Sequence, residues 1–134
     1  METITVDGNE AVLGRLGSYV AKELLKGNEV VVINSEKVLI SGKRNLIVDK
    51  INQKRKMGQG GSMKGPTYIR KSDRLLKRMI RGMLPWDRTK GREAYKRLRC
   101  YVGDKEAAGS EVKTFDHRKP FKFTTMKEVV GALR

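Results

Sequence analysis

The order of apolar and polar positions in the first third of the chain predicts a strand, a helix and a second strand. Residues 3–6 alternate polar and apolar side chains, which is typical of a strand with one buried face. In the next segment the apolar residues repeat on one helical face: Leu16, Val20, Leu24 and Leu25. Gly27 stands where a C-terminal helix cap is expected, and the β-branched run EVVVIN, residues 29–34, is typical of a strand covered on both faces. We therefore expect a βαβ unit with a parallel strand pair.

The middle of the chain predicts two longer helices separated by glycines. Residues 43–56 are expected to form a helix with a basic end, and its inward-facing residues are expected to be Leu46, Ile47 and Ile51. The Gly-rich loop, residues 58–65, interrupts the pattern. A second helix is predicted from Ser72, as its N-cap, to Met83, where Pro85 follows. Its apolar stripe consists of Leu75, Leu76, Met79, Ile80 and Met83.

Shorter elements complete the prediction. Residues 37–41 fit a short strand or a turn, residues 89–98 a third helix and residues 99–102 a strand. Residues 103–124 have the polar, irregular pattern of a tail segment. Thr125 with Glu128 three positions later forms a capping box, so a C-terminal helix is expected at about 125–133. These elements predict one α/β domain over residues 1–134, with a small, mainly parallel sheet and helices on both faces.

Charge changes this picture, because it is concentrated in one part of the chain. The 134 residues include 30 Lys plus Arg and 15 Asp plus Glu, a formal net charge of +15. The basic block, residues 43–99, holds 19 basic and 4 acidic residues, so the rest of the chain has no net charge. A surface of this kind repels itself, and a polyanionic partner is the usual reason for it.

The second predicted helix carries cations with few acids to pair with them. Opposite its apolar stripe lie Arg74, Lys77, Arg78 and Arg81, and the nearby acid is Asp73. Solvation is the ordinary role of a charged helix face, but such faces normally mix both signs. Arg outnumbers Lys two to one between residues 70 and 99, and its planar guanidinium suits bidentate phosphate contacts. Contact with nucleic acid is therefore the favoured interpretation.

The Gly-rich loop lacks the spacing of a nucleotide-binding motif. A phosphate-binding P-loop needs Lys and Ser or Thr after its second glycine, whereas Pro and Thr follow Gly65. The dinucleotide fingerprint fails as well, because Met63 occupies the third glycine position. Two alternatives stay open, a mobile loop and a segment that orders on RNA with Lys64 and Arg70 holding phosphates.

Two further groups have a functional and a structural interpretation. Gly14, Arg15 and Gly17 lie where a phosphate could meet a helix N-terminus, but close helix packing explains the glycines better. Trp86 and Tyr68 stand among cations, and either could stack on an unpaired base, although packing is the commoner role.

Little in the chain points to catalysis. His117 follows Asp116 without a Ser or Cys pattern, and the acids of the basic block lack metal-ligand spacing.

Cys100 stands alone, so no internal disulfide forms and a reducing compartment is expected. The first ten residues lack the apolar region of a signal peptide, and no run approaches the length of a membrane span. We expect a cytosolic protein that is not an enzyme, with no catalytic, cofactor-binding or metal-binding residues and no membrane or small-molecule partner.

Three blocks of the sequence resemble one known family. They are RGMLP at residues 81–85 followed by KGREAYKRLRCYVG at 90–103, GRLGSYVAKELLKGNEVVVINSEKVLISGK at 14–43, and GPTYIRKSDRLLKRMIRGMLP at 65–85. Together they are similar to the large-subunit ribosomal protein L13 family and cover well over half of the chain. The direct passage from the first helix into NEVVVIN, with GPTYIRKSD before the basic helix, resembles the archaeal and eukaryotic branch. The lack of a long C-terminal extension favours the archaeal type.

The resemblance implies a three-layer α/β/α fold and a place on the large ribosomal subunit in the cytoplasm. It also implies binding to 23S-type ribosomal RNA, contact with neighbouring large-subunit proteins, and a role in subunit assembly and translation. Residues 104–123 match no block of the family, so their partner stays open between RNA and protein. The rival functions are a free RNA-binding translational regulator and a phosphate-binding α/β enzyme. The predicted RNA-binding residues are Lys54, Arg55, Lys56, Lys64, Arg70, Lys71, Arg74, Lys77, Arg78, Arg81, Arg88, Lys90, Arg92, Arg97 and Arg99.

Overall fold

The structure is a computed structural model that describes residues 2–58, 60–61, 65, 67, 69–104, 111–115 and 118–133. The strands in these residues are β1 Thr3–Asp7, β2 Glu29–Ile33, β3 Leu39–Ser41, β4 Leu98–Cys100, β5 Val112–Lys113 and β6 Phe123–Thr125. The α-helices are α1 Leu13–Leu25, α2 Arg44–Lys56, α3 Ser72–Arg81, α4 Thr89–Lys96 and α5 Met126–Ala132. A single 3₁₀ turn, Ser35–Lys37, precedes β3 within the described part of the chain.

A parallel four-stranded sheet forms the centre of the fold. Its strand order is β4-β2-β1-β5, and each neighbouring pair is parallel. Strands β1 and β2 pair from Thr3 opposite Glu29 to Asp7 opposite Ile33, with α1 between them in sequence. The predicted βαβ unit and the mainly parallel sheet are therefore confirmed. Strands β3 and β6 form a separate antiparallel pair.

Helix α1 ends in the glycine cap that the sequence predicts. Gly27 has a φ of +100°, which L residues with a side chain rarely adopt. Its N–H donates to the Leu24 carbonyl at 3.1 Å, and the Asn28 N–H donates to the Glu23 carbonyl at 3.2 Å. This pair of bonds is a Schellman motif, which satisfies carbonyls that the end of a helix leaves unpaired.

Helices pack on both faces of the sheet, which gives the predicted three-layer α/β/α architecture. Helix α1 contacts α3 and α4, and α2 contacts α5. The largest fully buried side chains come from α1, α3, α5, the parallel sheet and the residue before β3: Leu16, Val20, Leu24, Leu75, Leu76, Ile80, Met126, Val6, Val30, Val32, Leu98 and Val38. None of the helices in the described residues is long and apolar enough to span a membrane.

The inward face of α2 differs from the prediction at one residue. Leu46 is 59% exposed, so its expected inward orientation is wrong. Val48 and Ile51 are buried instead, and Ile47 is half-buried. The inward face of α2 is therefore rotated away from Leu46 and toward Val48, in a helix that packs against α5, an element far away in the sequence.

Helix α3 is shorter than predicted at its C-terminal end. It stops at Arg81 rather than Met83, and the side chain of Met83 is 41% exposed. At the other end Lys71, not Ser72, is the N-cap, and it makes no side-chain capping bond. The third helix likewise stops at Lys96, because the residues that follow Arg97 pair with β2 as strand β4.

The segment 103–124, expected to be irregular, contributes two short strands. Strand β5 pairs with β1, where Val112 lies opposite Thr5, and β6 pairs with β3. Strands of two and three residues are too short to show an alternating pattern. After β6, the Thr125 hydroxyl oxygen accepts a hydrogen bond from the Glu128 N–H at 3.3 Å, which confirms the predicted N-cap of α5.

Candidate nucleic-acid interface

Helix α3 presents its cations on the side opposite the core. Leu75, Leu76 and Ile80 are buried. At about 100° per residue, the four cations of the basic face fall within an arc of about 100°. The basic face consists of Arg74, Lys77, Arg78 and Arg81, of which Arg74 is exposed and the other three are half-buried. Burial of the apolar stripe therefore fixes which way these charges point.

Aromatic rings hold two of these cations in place. The Arg81 guanidinium carbon lies 3.9 Å from the centre of the Trp86 ring, and the Lys77 Nζ lies 4.9 Å from the centre of the Tyr95 ring. The two rings contact each other edge to face, with centroids 5.2 Å apart and planes at 85°. Each cation is attracted to the negative face of its ring, so both are restrained before any partner binds. Burial raises the pKa of the Tyr95 phenol, which agrees with a packed ring.

The turn between α3 and α4 sets the position of a second group of cations. The Arg88 N–H donates to the Pro85 carbonyl at 3.1 Å, and the Arg92 Nε donates to the Trp86 carbonyl at 3.0 Å. Gly91 is buried, and a Cβ atom at this position would overlap the Pro85 carbonyl. The absence of a side chain at Gly91 thus lets α4 lie directly against the end of the turn.

A groove lies between α2 and α3. Its apolar lining consists of Ile51, Leu75 and Met79, and Lys54 and Arg78 also line it. The volume is ≈ 280 Å³. The basic end of α2 and the basic face of α3 therefore meet at one place on the surface.

The predicted RNA-binding residues differ in exposure. Those that are exposed are Lys54, Lys56, Arg70, Lys71, Arg74, Arg88, Lys90, Arg92 and Arg99. Those that are half-buried are Arg55, Lys77, Arg78, Arg81 and Arg97. Lys64 lies outside the described residues. Tyr95 is not among the predicted residues, although its position between the cations of α4 is a signal that could have identified it.

Arg97 has a contact that gives it a structural role. Its guanidinium donates at 2.7 Å to the Leu24 carbonyl, which also accepts the Gly27 N–H in the Schellman motif at the end of α1. Its Nε is buried and has no hydrogen-bond partner among the described residues. A cation at the C-terminal end of a helix is favourable because unpaired carbonyls give that end a partial negative charge. This side chain joins the start of β4 to α1.

Of the other residues singled out in the sequence, Trp86 has a packing role, whereas the close packing expected at Gly14 is not found. A Cβ atom on Gly17 would lie 2.7 Å from the Met83 sulfur, which belongs to a flexible and partly exposed side chain that can move aside. Nothing lies within 4 Å of a Cβ atom placed on Gly14. Trp86 packs between Arg81 and Tyr95, which is the commoner role expected for it. Tyr68 and His117 lie outside the described residues.

Cys100 is the last residue of β4 and carries a thiol. It is a free cysteine, and burial raises its pKa to about 12. In the part of the chain that the structure describes, no group of three or more His, Cys, Asp or Glu could hold a metal ion. The side chains that converge in the described part of the basic block are thus cations and aromatic rings rather than metal ligands or nucleophiles.

Comparison with known proteins identifies relatives of this chain. The family model for Ribosomal protein L13 matches residues 1–107. A large ribosomal subunit protein uL13 from Methanopyrus kandleri is 50% identical over 102 residues, which cover 76% of this chain and 63% of that protein. The uL13 protein of Archaeoglobus fulgidus is 38% identical over 131 residues, or 92% of this chain and 83% of its own length. The uL13 protein of Methanocaldococcus jannaschii is 36% identical over 126 residues, or 92% of each chain.

These three relatives come from archaea, which agrees with the archaeal type that the sequence blocks of this chain predict. The family match extends from β1 beyond β4. It includes the basic face of α3 and the two packed rings, Trp86 and Tyr95. The chain belongs to the ribosomal protein L13 family.

Proposed function

We propose that this protein is a structural constituent of the large ribosomal subunit and binds the subunit's ribosomal RNA through its basic face. The observation that carries the proposal is the arc of four cations on α3, two of which are restrained by Trp86 and Tyr95. The names of the relatives, each a large ribosomal subunit protein, support the same function.

The binding is electrostatic and preorganised. Cations that are already fixed at their spacing lose less side-chain entropy when phosphates arrive, so more of the attraction remains as affinity. Folded RNA is recognised mostly through its shape, its phosphates and its 2′-hydroxyls, with sequence recognised where bases are unpaired. The groove between α2 and α3 offers a phosphate two cations, Lys54 and Arg78, from two different elements.

The proposed contact set follows the sequence prediction with one exception. Arg97 is left out, because its guanidinium is bound to the Leu24 carbonyl. Lys64 stays in the set as a prediction from sequence. The remaining members are Lys54, Arg55, Lys56, Arg70, Lys71, Arg74, Lys77, Arg78, Arg81, Arg88, Lys90, Arg92 and Arg99.

The proposal also specifies partners and location: a 23S-type RNA, neighbouring large-subunit proteins, and ribosomes in the cytoplasm. It includes support of subunit assembly and no enzymatic activity. They rest on the family and on the excess of cations in the basic block. Charge of one sign over a broad surface suits a polyanion far better than a small substrate.

Sedimentation of cell lysate through a sucrose gradient tests the proposal. The protein should travel with large ribosomal subunits, and ultraviolet crosslinking of those subunits should join it to their RNA. A protein found mainly in the soluble fraction at the top of the gradient would contradict the proposal and support the free translational regulator instead.

A further inference from the structure

A second candidate contact lies outside the basic block, in the segment before β6. The ring of Phe121 is 98% exposed, the highest value among the large apolar side chains described. Transfer of a Phe side chain out of water lowers the free energy. A partner that covers this exposed ring is therefore bound more tightly. The other two phenylalanines are less available, because Phe115 packs on Tyr19 with centroids 5.5 Å apart and Phe123 is 43% exposed.

The segment that carries Phe121 is anchored on both sides. On the C-terminal side, the carbonyl of Lys122 accepts a hydrogen bond from the Gly42 N–H at 3.0 Å, and the Thr124 hydroxyl donates to the Gly42 carbonyl at 3.3 Å. On the N-terminal side, the Lys119 Nζ lies 3.1 Å from a Glu10 carboxylate oxygen. Pro120 further restricts the backbone between the two anchors. The backbone is therefore hydrogen-bonded on the C-terminal side of the ring, while an exposed ion pair and Pro120 restrict its N-terminal side.

The charge around the ring decides what kind of partner fits. Residues 118–127 contain four cations and no acid, and the cations are Arg118, Lys119, Lys122 and Lys127. Arg118, Lys122 and Lys127 are exposed, as is Lys119 beside its Glu10 partner. An exposed aromatic ring beside exposed cations is the arrangement with which proteins bind single-stranded nucleic acid, since the ring stacks on a base and the cations meet phosphates.

A groove beside this segment also combines an aromatic ring with lysines. Phe123 lines it together with three lysines, Lys37, Lys119 and Lys127, and its volume is ≈ 280 Å³. Two carboxylates also line it, but both are already bonded within the protein: Glu10 to Lys119, and Glu36 to the Gly103 N–H at 3.2 Å. With three lysines and two carboxylates the lining carries a net charge of +1, so it favours a polyanion by a single charge.

We infer that Phe121 stacks on an unpaired base of RNA while Arg118 and Lys122 contact the adjacent phosphates. This second contact rests on the proposed function, since it assumes an RNA partner. Most of the segment 104–123 lies beyond the family match. The inference gives part of this segment the role of binding a single-stranded region of that RNA.

Binding to two kinds of RNA tests the inference. The probes are a fluorescein-labelled oligoadenylate of about 12 nucleotides, near the site size of single-strand binders, and an RNA duplex of about 16 base pairs. Phe121→Ala should weaken binding of the oligoadenylate by about 5- to 150-fold, the range that loss of one stacked base produces. Binding of the duplex should stay within about two-fold, because the stacking surface of duplex bases is covered. Phe121→Tyr, which keeps a ring, should bind the oligoadenylate like the unchanged protein.

Leu46→Ala is the matched control, because Leu46 is also an exposed apolar residue flanked by cations, Arg44 and Lys50. It should leave binding of both probes unchanged. The inference is overturned if the unchanged protein does not bind the oligoadenylate, if Phe121→Ala binds it normally, or if Phe121→Ala loses both probes equally. Failure of the proposed function looks different, because the unchanged protein would then bind neither probe and would not sediment with large subunits.

Crosslinking in intact large subunits separates RNA from a protein partner. A photoreactive p-benzoylphenylalanine in place of Phe121 should crosslink to ribosomal RNA. Crosslinks to a neighbouring protein alone, or no crosslink at all, would overturn the inference.

Discussion

The guanidinium carbon of Arg81 lies 3.9 Å from the centre of the Trp86 ring, so the last residue of α3 is held by the turn that follows it. Tyr95 supports the same ring edge to face, and Lys77 in turn lies over Tyr95. The stretch from 81 to 99 is both densely charged and packed because its aromatic residues serve as supports for its cations.

Replacement of Trp86 by Ala should lower both stability and RNA affinity. The change removes the ring contacts to Arg81 and Tyr95, which together contribute about 1–3 kcal/mol to the free energy of unfolding. Affinity for RNA should fall as well, because Arg81 loses its fixed position. Urea unfolding and fluorescence anisotropy with duplex RNA measure the two effects.

Trp86→Phe is the control for that change, since it keeps a ring against both partners. It should lose less than half as much stability as Trp86→Ala. Equal losses for the two variants would mean that the ring contacts do not restrain Arg81.

Combined replacement of Arg74, Arg78 and Arg81 by Ala should leave the fold intact and sharply weaken RNA binding. These side chains lie opposite the buried stripe of α3, so the core does not depend on them. The control replaces two cations of α1, Arg15 and Lys22, together with its C-cap Lys26, and so removes the same charge from another part of the chain. Anisotropy with duplex RNA at physiological salt compares the two, and equal affinities would remove the basic face from the interface.

Affinity for RNA should depend steeply on salt. If 6–10 phosphates are contacted, affinity should fall about 10³- to 10⁵-fold between about 50 and 200 mM salt, with duplex-DNA behaviour as the guide. The slope of log affinity against log salt, measured by anisotropy, gives the number of contacts. The variant without Arg74, Arg78 and Arg81 should show a shallower slope, and a flat response would contradict electrostatic binding.

Gly91→Ala should destabilise the protein by about 1–3 kcal/mol, because a Cβ atom there overlaps the Pro85 carbonyl and forces α4 away from the turn. Gly14→Ala is the control within another helix, since nothing lies within 4 Å of its added Cβ atom. That variant should be at least as stable as the unchanged protein, because Ala favours helix more than Gly does. Thermal unfolding of both variants checks the prediction, and equal stability would argue against the close contact at Gly91.

The thiol of Cys100 should make stability fall at alkaline pH. Burial raises its pKa from 9.0 to about 12, so the native state keeps a proton that the unfolded state releases between these values. This contribution is fully present below about pH 9 and is lost as pH rises toward 12. Urea unfolding of the unchanged protein and of Cys100→Ala between these limits isolates the effect, because other groups titrate alike in both. Parallel pH dependences would show that the thiol is not buried.

Much of the fold follows from local sequence patterns. The βαβ unit was predictable because α1 has a regular apolar stripe and a glycine at its cap, and β2 is a continuous β-branched run. The polar side of α3 was predictable for the same reason, since its charged and apolar residues separate cleanly at helical spacing.

Other features depend on contacts between distant parts of the chain, which periodicity does not reveal. Leu46 and Val48 are both apolar, and the packing of α5 on α2 decides which of them is buried. Arg97 looks like any other cation of the basic block, but its partner Leu24 lies 73 positions away. The exposure of Phe121 was equally hidden, because the sequence does not distinguish it from Phe115, which packs on Tyr19.

That antiparallel pair has a consequence for how the protein is made. Leu39 in β3 lies opposite Thr125 in β6, and Met126 and Val129 of α5 complete the interior. The interior therefore cannot close until nearly every residue up to 133 has been synthesised, and by then the nascent polypeptide has already presented its whole excess of positive charge. Until α5 is in place the basic block belongs to a domain with an incomplete interior, and we expect its cations to attract polyanions before the fold is finished.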